Sequence, residues 1–157
     1  MTDKDALLSY YERRTCSAQW MEFNRAFAAE LSAGLPPEDI RQLFRRIGER
    51  IALALPVERC DTVEQLRAAF NGRWEAIDWG FATLHEQDDH LRIVHACSPL
   101  AMAFGPDAEP WADGFFEGAY QTWFAAQGTP PALRVRAEAA AADGSQQVVL
   151  RLGRAQP

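Results

Sequence analysis

Apolar residues recur at steps of three and four through the first half of the chain, then at steps of two in two later stretches, a pattern that predicts helices followed by hairpins. Trp20, Phe23, Phe27 and Leu31 mark the buried face of a helix over 17–33, with Ser17 placed as its N-cap and Gly34 as its stop. Pro36, Pro37, Glu38 and Asp39 then open a second helix, whose stripe of Ile40, Leu43, Phe44, Ile47, Ile51 and Leu55 runs to Pro56. Its other side holds Arg41, Arg45, Arg46, Glu49 and Arg50, a solvated basic face. A third helix starts at Thr62, where Thr62-x-x-Gln65 forms a capping box ahead of Val63, Leu66, Phe70 and Trp74. Gly72 inside that pattern costs about 1 kcal/mol in a helix interior, which predicts close packing or a bend there.

From Trp79 the period changes to two. Trp79, Phe81 and Thr83 alternate with Gly80, Ala82 and Leu84, a polar tip follows at Gln87-Asp88-Asp89, and Leu91, Ile93 and His95 alternate with Arg92, Val94 and Ala96, which together make a β-hairpin. The stretch 99–110 reads as a loop. A fourth helix is expected over about 110–127, with Phe116, Tyr120, Trp123 and Phe124 on one face and Gly128 as its C-cap. Asp143-Gly144 is the favoured pair for a type I′ turn. Folding there sets Ala139 against Val148, Ala137 against Leu150 and Val135 against Leu152, and turns Arg134, Arg136, Glu138, Val149 and Arg151 to the opposite face. The fold class is therefore α+β with an antiparallel sheet. Residues 1–157 form one domain: an N-terminal arm over 1–16, a helical part over 17–76 and a hairpin-helix-hairpin part over 77–154.

Composition narrows the function. A chain of 157 residues with 48% hydrophobic and 24% charged residues is globular rather than disordered. Its net charge of -6 is the wrong sign for a phosphate backbone, so nucleic acid is excluded as a partner. Nowhere do about 18 apolar residues follow one another, and no signal-peptide pattern opens the sequence, so a cytoplasmic protein is expected, with the periplasm as the alternative. The cysteines Cys16, Cys60 and Cys97 lie far apart and are odd in number, which predicts reduced and mostly buried thiols. Aromatic residues reach 11%, implying a large core or a sticky surface.

Candidate chemistry is sparse. His85, His90 and His95 all fall in the first hairpin, where His85 and His95 can share a face but His90 sits in the turn, so no compact ligand set forms and no metal is expected; the three read as surface or capping residues. Cys97 lies two residues from His95, without the third orienting group that nucleophile chemistry requires. Glu109, Asp113 and Glu117 complement the dipole at the start of the fourth helix. No phosphate-binding glycine motif is present. The sequence predicts no catalytic residue and no cofactor.

Four blocks, in order, are similar to the D subunit of bacterial cellulose synthase: Cys60 to Leu66 at the head of the third helix, Ile77-Asp78-Trp79-Gly80-Phe81 opening the first hairpin, Leu91-Arg92-Ile93-Val94-His95 on its return strand, and Glu117-Gly118-Ala119-Tyr120-Gln121-Thr122-Trp123 in the fourth helix. The resemblance spans most of residues 20 to 154. It implies a non-catalytic accessory protein that assembles from dimers into a ring-like homo-octamer, with N-termini in the lumen, and that aligns synthase complexes so that glucan chains crystallise together. It implies the cellulose synthase complex or its accessory proteins as partners at the inner membrane, with the ring acting as an intracellular scaffold or as a passage for glucan. The arm departs from the family in its aromatic character, and Tyr10 and Tyr11 are the candidate glucan-binding residues, able to stack on pyranose faces. The alternative is a small-molecule or haem-binding sensor domain of vinyl-reductase-like or haem-NO-binding type, in which His85, His90 or His95 would supply an axial ligand.

Overall fold

Residues 2–139 and 147–155 are described by a computed structural model. Helices α1 (Asp3–Glu12), α2 (Ala18–Gly34), α3 (Pro37–Ala54) and α4 (Val63–Ala76) lead into strands β1 (Phe81–Glu86) and β2 (Leu91–Ala96). There follow α5 (Leu100–Phe104), a 3-10 turn at Pro106–Ala108, α6 (Glu109–Ala112), α7 (Gly114–Ala126), β3 (Leu133–Ala137) and β4 (Val148–Arg154). The four strands form one antiparallel sheet in the order β1-β2-β4-β3, so the two hairpins join through β2 and β4.

The expected register of the second hairpin holds for two of its three pairs. Val135 faces Leu152 and Ala137 faces Leu150; the ladder stops there, short of Ala139 and Val148, and one further bond runs from the Glu138 amide to the Val149 carbonyl at 2.8 Å. The Asp143-Gly144 turn lies outside the described residues.

Three expectations about the helices change. The arm contains a helix, α1, because Thr2 and Asp5 cap each other: the Thr2 hydroxyl accepts from the Asp5 amide at 3.2 Å and the Asp5 carboxylate accepts from the Thr2 amide at 2.9 Å. An aspartate replaces the usual Glu or Gln of a capping box. The stretch 99–110 is not a loop but α5, the 3-10 turn and α6, since Pro99, Pro106 and Pro110 all stand in helical first turns or caps, where no backbone N–H is needed. The fourth helix is accordingly two pieces, parted at Asp113.

α7 is the centre of the molecule. Sequence spacing gives it one apolar face, yet Phe115, Phe116, Ala119, Tyr120, Trp123 and Phe124 are all buried, as befits a helix covered on every side. α3 crosses it closely enough that a Cβ on Gly48 or Gly118 would collide with the Phe115 or Arg45 carbonyl, and one on Gly114 would stand 2.6 Å from the Arg41 carbonyl. Gly72 behaves otherwise: α4 runs through it unbroken, and a Cβ there would meet nothing within 4 Å. Its expected close packing is absent because that side of α4 faces solvent.

Side-chain amides lock the helices to exposed backbone. Asn71 of α4 donates to the Ala82 carbonyl at 2.9 Å and accepts from its amide at 2.7 Å, occupying the free edge of β1. Gln121 of α7 does the same for β3, bonding the Val135 amide at 2.7 Å and the Leu133 carbonyl at 3.2 Å. Both outer strands thus have edge groups satisfied from within the chain, which blunts edge-to-edge pairing.

Candidate functional site

Tyr10 and Tyr11 lie in the last turn of α1, and both are exposed. They do not form a joint stacking platform, because neighbouring residues on a helix point about 100° apart and the two rings meet edge to face, 5.7 Å between centroids and 78° between planes. Tyr10 is engaged by Arg14, which bonds its hydroxyl and sits 5.1 Å from its ring centroid. Tyr11 instead borders an open cleft of about 590 Å³ with Arg14, Asn71, Glu75, Asp78 and Phe81. Aromatic faces beside carboxylate, amide and guanidinium groups can bind a polyhydroxylated ligand. The cleft's back is a tight backbone crossing: Asp78 and Cys97 have φ of 56° and 60°, and a Cβ on Gly80 would collide with the Ala96 carbonyl. A non-glycine residue held at positive φ stores strain.

The histidines separate. Register pairs Ala82 with His95 and His85 with Arg92, so His85 and His95 occupy opposite faces of the sheet, contrary to their shared parity; strand pairing, not numbering, sets the face. His90 sits in the turn beside Asp89, as expected. His95, expected at the surface, is fully buried. One ring nitrogen faces the Tyr120 hydroxyl and the other the Trp79 carbonyl, each at 2.7 Å, which leaves neither for a haem iron. Among the described residues no group of His, Cys, Asp and Glu is placed to hold a metal ion. Cys16, Cys60 and Cys97 are not joined in disulfides, and are half-buried rather than buried.

A buried ion cluster escaped the sequence reading. Glu117 is 2% exposed and accepts from Arg41 and Arg45 of α3 and from the Ala137 amide at 3.1 Å, with Arg136 at 3.7 Å. Two arginines of the supposed solvated face therefore join α3 to α7, and Glu117 carries the link on to β3. Burial pushes the Glu117 carboxyl up, but Arg41, the Ala137 amide and Arg45 outweigh it and hold it below the usual range. Asp113, one turn earlier, is pushed up to about 6 by burial, against the pull of Arg41 and with help from Glu109 and Glu117. The available signal was an acid in the apolar run Gly114 to Tyr120, where a lone charge demands a partner.

The largest departure is on α2. Trp20, Phe23 and Phe27, expected in the core, are 58%, 61% and 42% exposed, and Ala28 is the helix's buried residue. Trp20 and Phe27 border an apolar groove of about 390 Å³ with Phe44, Ile47, Leu100 and Phe104. Leu7, Leu8, Tyr10 and Tyr11 of α1 add to this uncovered apolar surface. Large exposed apolar patches mark surfaces for contact with other molecules. No helix among the described residues is long and apolar enough to cross a membrane.

Fold and surface thus describe a small α+β protein with an internally satisfied core and an uncovered aromatic flank. The chain belongs to the family of the cellulose synthase D subunit, whose model matches residues 6–153. A relative from Komagataeibacter xylinus, named cellulose synthase operon protein D, is 31% identical over 88 residues, covering 55% of this chain and 56% of its own. A second protein of that name from the same organism is 28% identical over 107 residues, covering 67% of this chain and 69% of its own. A third, from Komagataeibacter sucrofermentans, matches to the same extent. The family match replaces the sensor-domain alternative.

Proposed function

We propose that the protein is a non-catalytic assembly component of the bacterial cellulose synthesis machinery. It acts as a ring-like homo-octamer built from dimers that aligns synthase complexes and promotes crystalline packing of glucan. The observation that carries this reading is the α2 flank: Trp20, Phe23 and Phe27 stand exposed on one helix, and interface cores favour such residues. Family membership and the relatives' names support the link to cellulose. The ring works in the cytoplasm beside the synthase at the inner membrane, and raises order by geometry alone, since lined-up exit points increase the effective concentration of neighbouring chains. Glucan contact, if the ring serves as a passage, falls to Tyr11 and its cleft, with Tyr10 secondary because Arg14 occupies it.

Light scattering during gel filtration tests the assembly. A mass near eight times the 17.6 kDa chain is expected, falling to that of a dimer or monomer in a W20S/F27S variant. A wild-type monomer at micromolar concentration overturns the proposal. A deletion strain should retain synthase activity in isolated membranes while its cellulose diffracts less sharply; loss of activity with normal order would require an activating role instead.

A further inference from the structure

The outer face of the sheet, turned away from the buried side chains Ile93, Val135 and Leu150, carries a row of cations that the core does not require. Arg92 stands directly opposite Arg151, and Arg151 directly opposite Arg136, so three arginines occupy neighbouring positions across β2, β4 and β3. Like charges directly opposite on a sheet face are destabilising. In a chain with net charge -6, carboxylates are in surplus to relieve them. The relief is partial. Asp89 takes Arg151 at 2.8 Å, while Arg136 reaches Glu117 only at 3.7 Å, where Arg41 and Arg45 already hold both oxygens. Among the described residues, no acidic side chain forms an ion pair with Arg92, Arg134 or Arg154.

Arg134, Arg136 and Arg151 line a concavity of about 360 Å³ together with Glu138 and Gly153, while Arg154, paired with Leu133 on the opposite face of β4, borders it only at the strand's end. Gly153 faces Arg134 in the register, and a Cβ on it would stand 3.2 Å from the His90 Cβ and 3.3 Å from Arg151 Nε, so the missing side chain leaves room for the Arg151 guanidinium beside the β1–β2 turn. Arg151 Nε is itself buried and has no hydrogen-bond partner among the described residues. A buried donor without a partner costs the fold its full desolvation penalty, which a bound acceptor would relieve.

We propose that this pocket binds a small phosphate-bearing anion, with Arg134 and Arg151 as its main contacts. Of the three guanidinium groups that line the pocket on this face, Arg151 has Asp89 and Arg136 only a share of Glu117, which Arg41 and Arg45 already hold, so that Glu138 in the pocket leaves an excess of positive charge. A phosphate or pyrophosphate group supplies two or more charges, and oxygens spaced to match the planar fork of a guanidinium. The concavity and the buried donor suit a compact soluble anion rather than a bilayer surface, and the volume lies within the roughly 300–1,000 Å³ of small-ligand pockets. This site lies on the sheet, formed by β3 and β4, and is independent of the assembly role argued from α2.

Calorimetric titration of pyrophosphate into the purified full chain at fixed ionic strength tests it, with sulfate and malonate as controls. Saturable pyrophosphate binding at least tenfold tighter than either control is expected. Arg134→Gln, an exposed residue that no ion pair needs, should weaken it at least tenfold, and Gly153→Ala several-fold. Arg46→Gln, exposed on α3, should leave it unchanged. Affinity no better than that for sulfate, undiminished binding in R134Q, or an equal loss in R46Q overturns the proposal. So does a change of oligomeric mass in R134Q without pyrophosphate binding by the wild type, which would assign the face to a protein contact.

Discussion

Tyr120 donates its hydroxyl proton to Nδ1 of His95 across 2.7 Å, and this bond fixes the state of a fully buried imidazole. The Trp79 carbonyl, which can only accept, lies 2.7 Å from Nε2, so Nε2 carries the ring's single proton and Nδ1 is the acceptor. The Tyr120 oxygen accepts in turn from the Trp74 indole N–H at 3.0 Å. Four elements meet at this chain of bonds: α4, the entry to β1, β2 and α7. Burial raises the Tyr120 hydroxyl well above its usual range and lowers His95 to about 4, the bond to the Trp79 carbonyl pulling the other way.

That depression makes stability fall with acid. His95 binds its proton near 6.5 when unfolded but only near 4 when folded, so its contribution is intact above 6.5 and is lost as pH drops toward 4, by about 3 kcal/mol. Asp113 opposes it, since its raised value of about 6 stabilises the fold at low pH and loses that effect as pH climbs through 6. The two are separated by comparing wild type with His95→Phe in urea melts. The stability gap between them should narrow steadily from pH 7 to pH 4.5. A gap independent of pH would mean that the imidazole is not buried neutral.

The α3–α7 crossing depends on glycine. Gly118→Ala places a methyl group against the Arg45 backbone, which cannot rotate away as a side chain can, and should destabilise by roughly 1–3 kcal/mol. Gly72→Ala adds the same methyl group to open space in the middle of α4 and should stabilise by up to about 1 kcal/mol. Opposite signs in chemical denaturation are the expected result.

Glu117→Gln leaves Arg41 and Arg45 facing a neutral amide in a largely buried site. Removing one partner of a buried ion pair costs roughly 3–5 kcal/mol, and the thermal midpoint should fall accordingly. Because the folded carboxyl is held below its ordinary range, its stabilisation is present above the unfolded value and is lost as pH falls through the folded one. The deficit of E117Q should therefore shrink in strong acid.

Gln121→Leu removes both bonds to β3 and strands the Val135 amide, whose residue is 1% exposed. A cost of about 1–3 kcal/mol follows from the unmet donor. Hydrogen exchange should locate it: the Val135 amide should exchange faster than in wild type, while amides between β2 and β4 keep their relative protection.

Periodicity placed the long elements because 3.6- and 2-residue repeats are local properties of the chain. α2, α3 and α4 begin within a residue of where Ser17, Pro36 and Thr62 stand, and Val135–Leu152 and Ala137–Leu150 pair as alternation required. Local rules also mark the proline-led first turns within 99–110, although each piece is too short for its period to show.

What periodicity cannot reveal is which partner covers a stripe. Trp20, Phe23 and Phe27 have the spacing of a core face and lie outside, because α2 rests on α5 by its Ala28 side. Arg41 and Arg45 have the look of a solvated face and hold Glu117, a residue more than 70 positions away, because glycines at 48, 114 and 118 bring α3 and α7 into near contact. His95 is buried because β1 pairs with β2 in the register that sets it opposite Ala82, beneath Tyr120. The amino-acid sequence by itself determined the long helices α2, α3 and α4, the two hairpins, their order and the pairing of Val135 with Leu152 and Ala137 with Leu150, since those rest on neighbours along the chain. The buried ion cluster, the neutral histidine and the uncovered aromatic flank were decided by the tertiary structure, since charge state and exposure depend on what distant segments bring alongside.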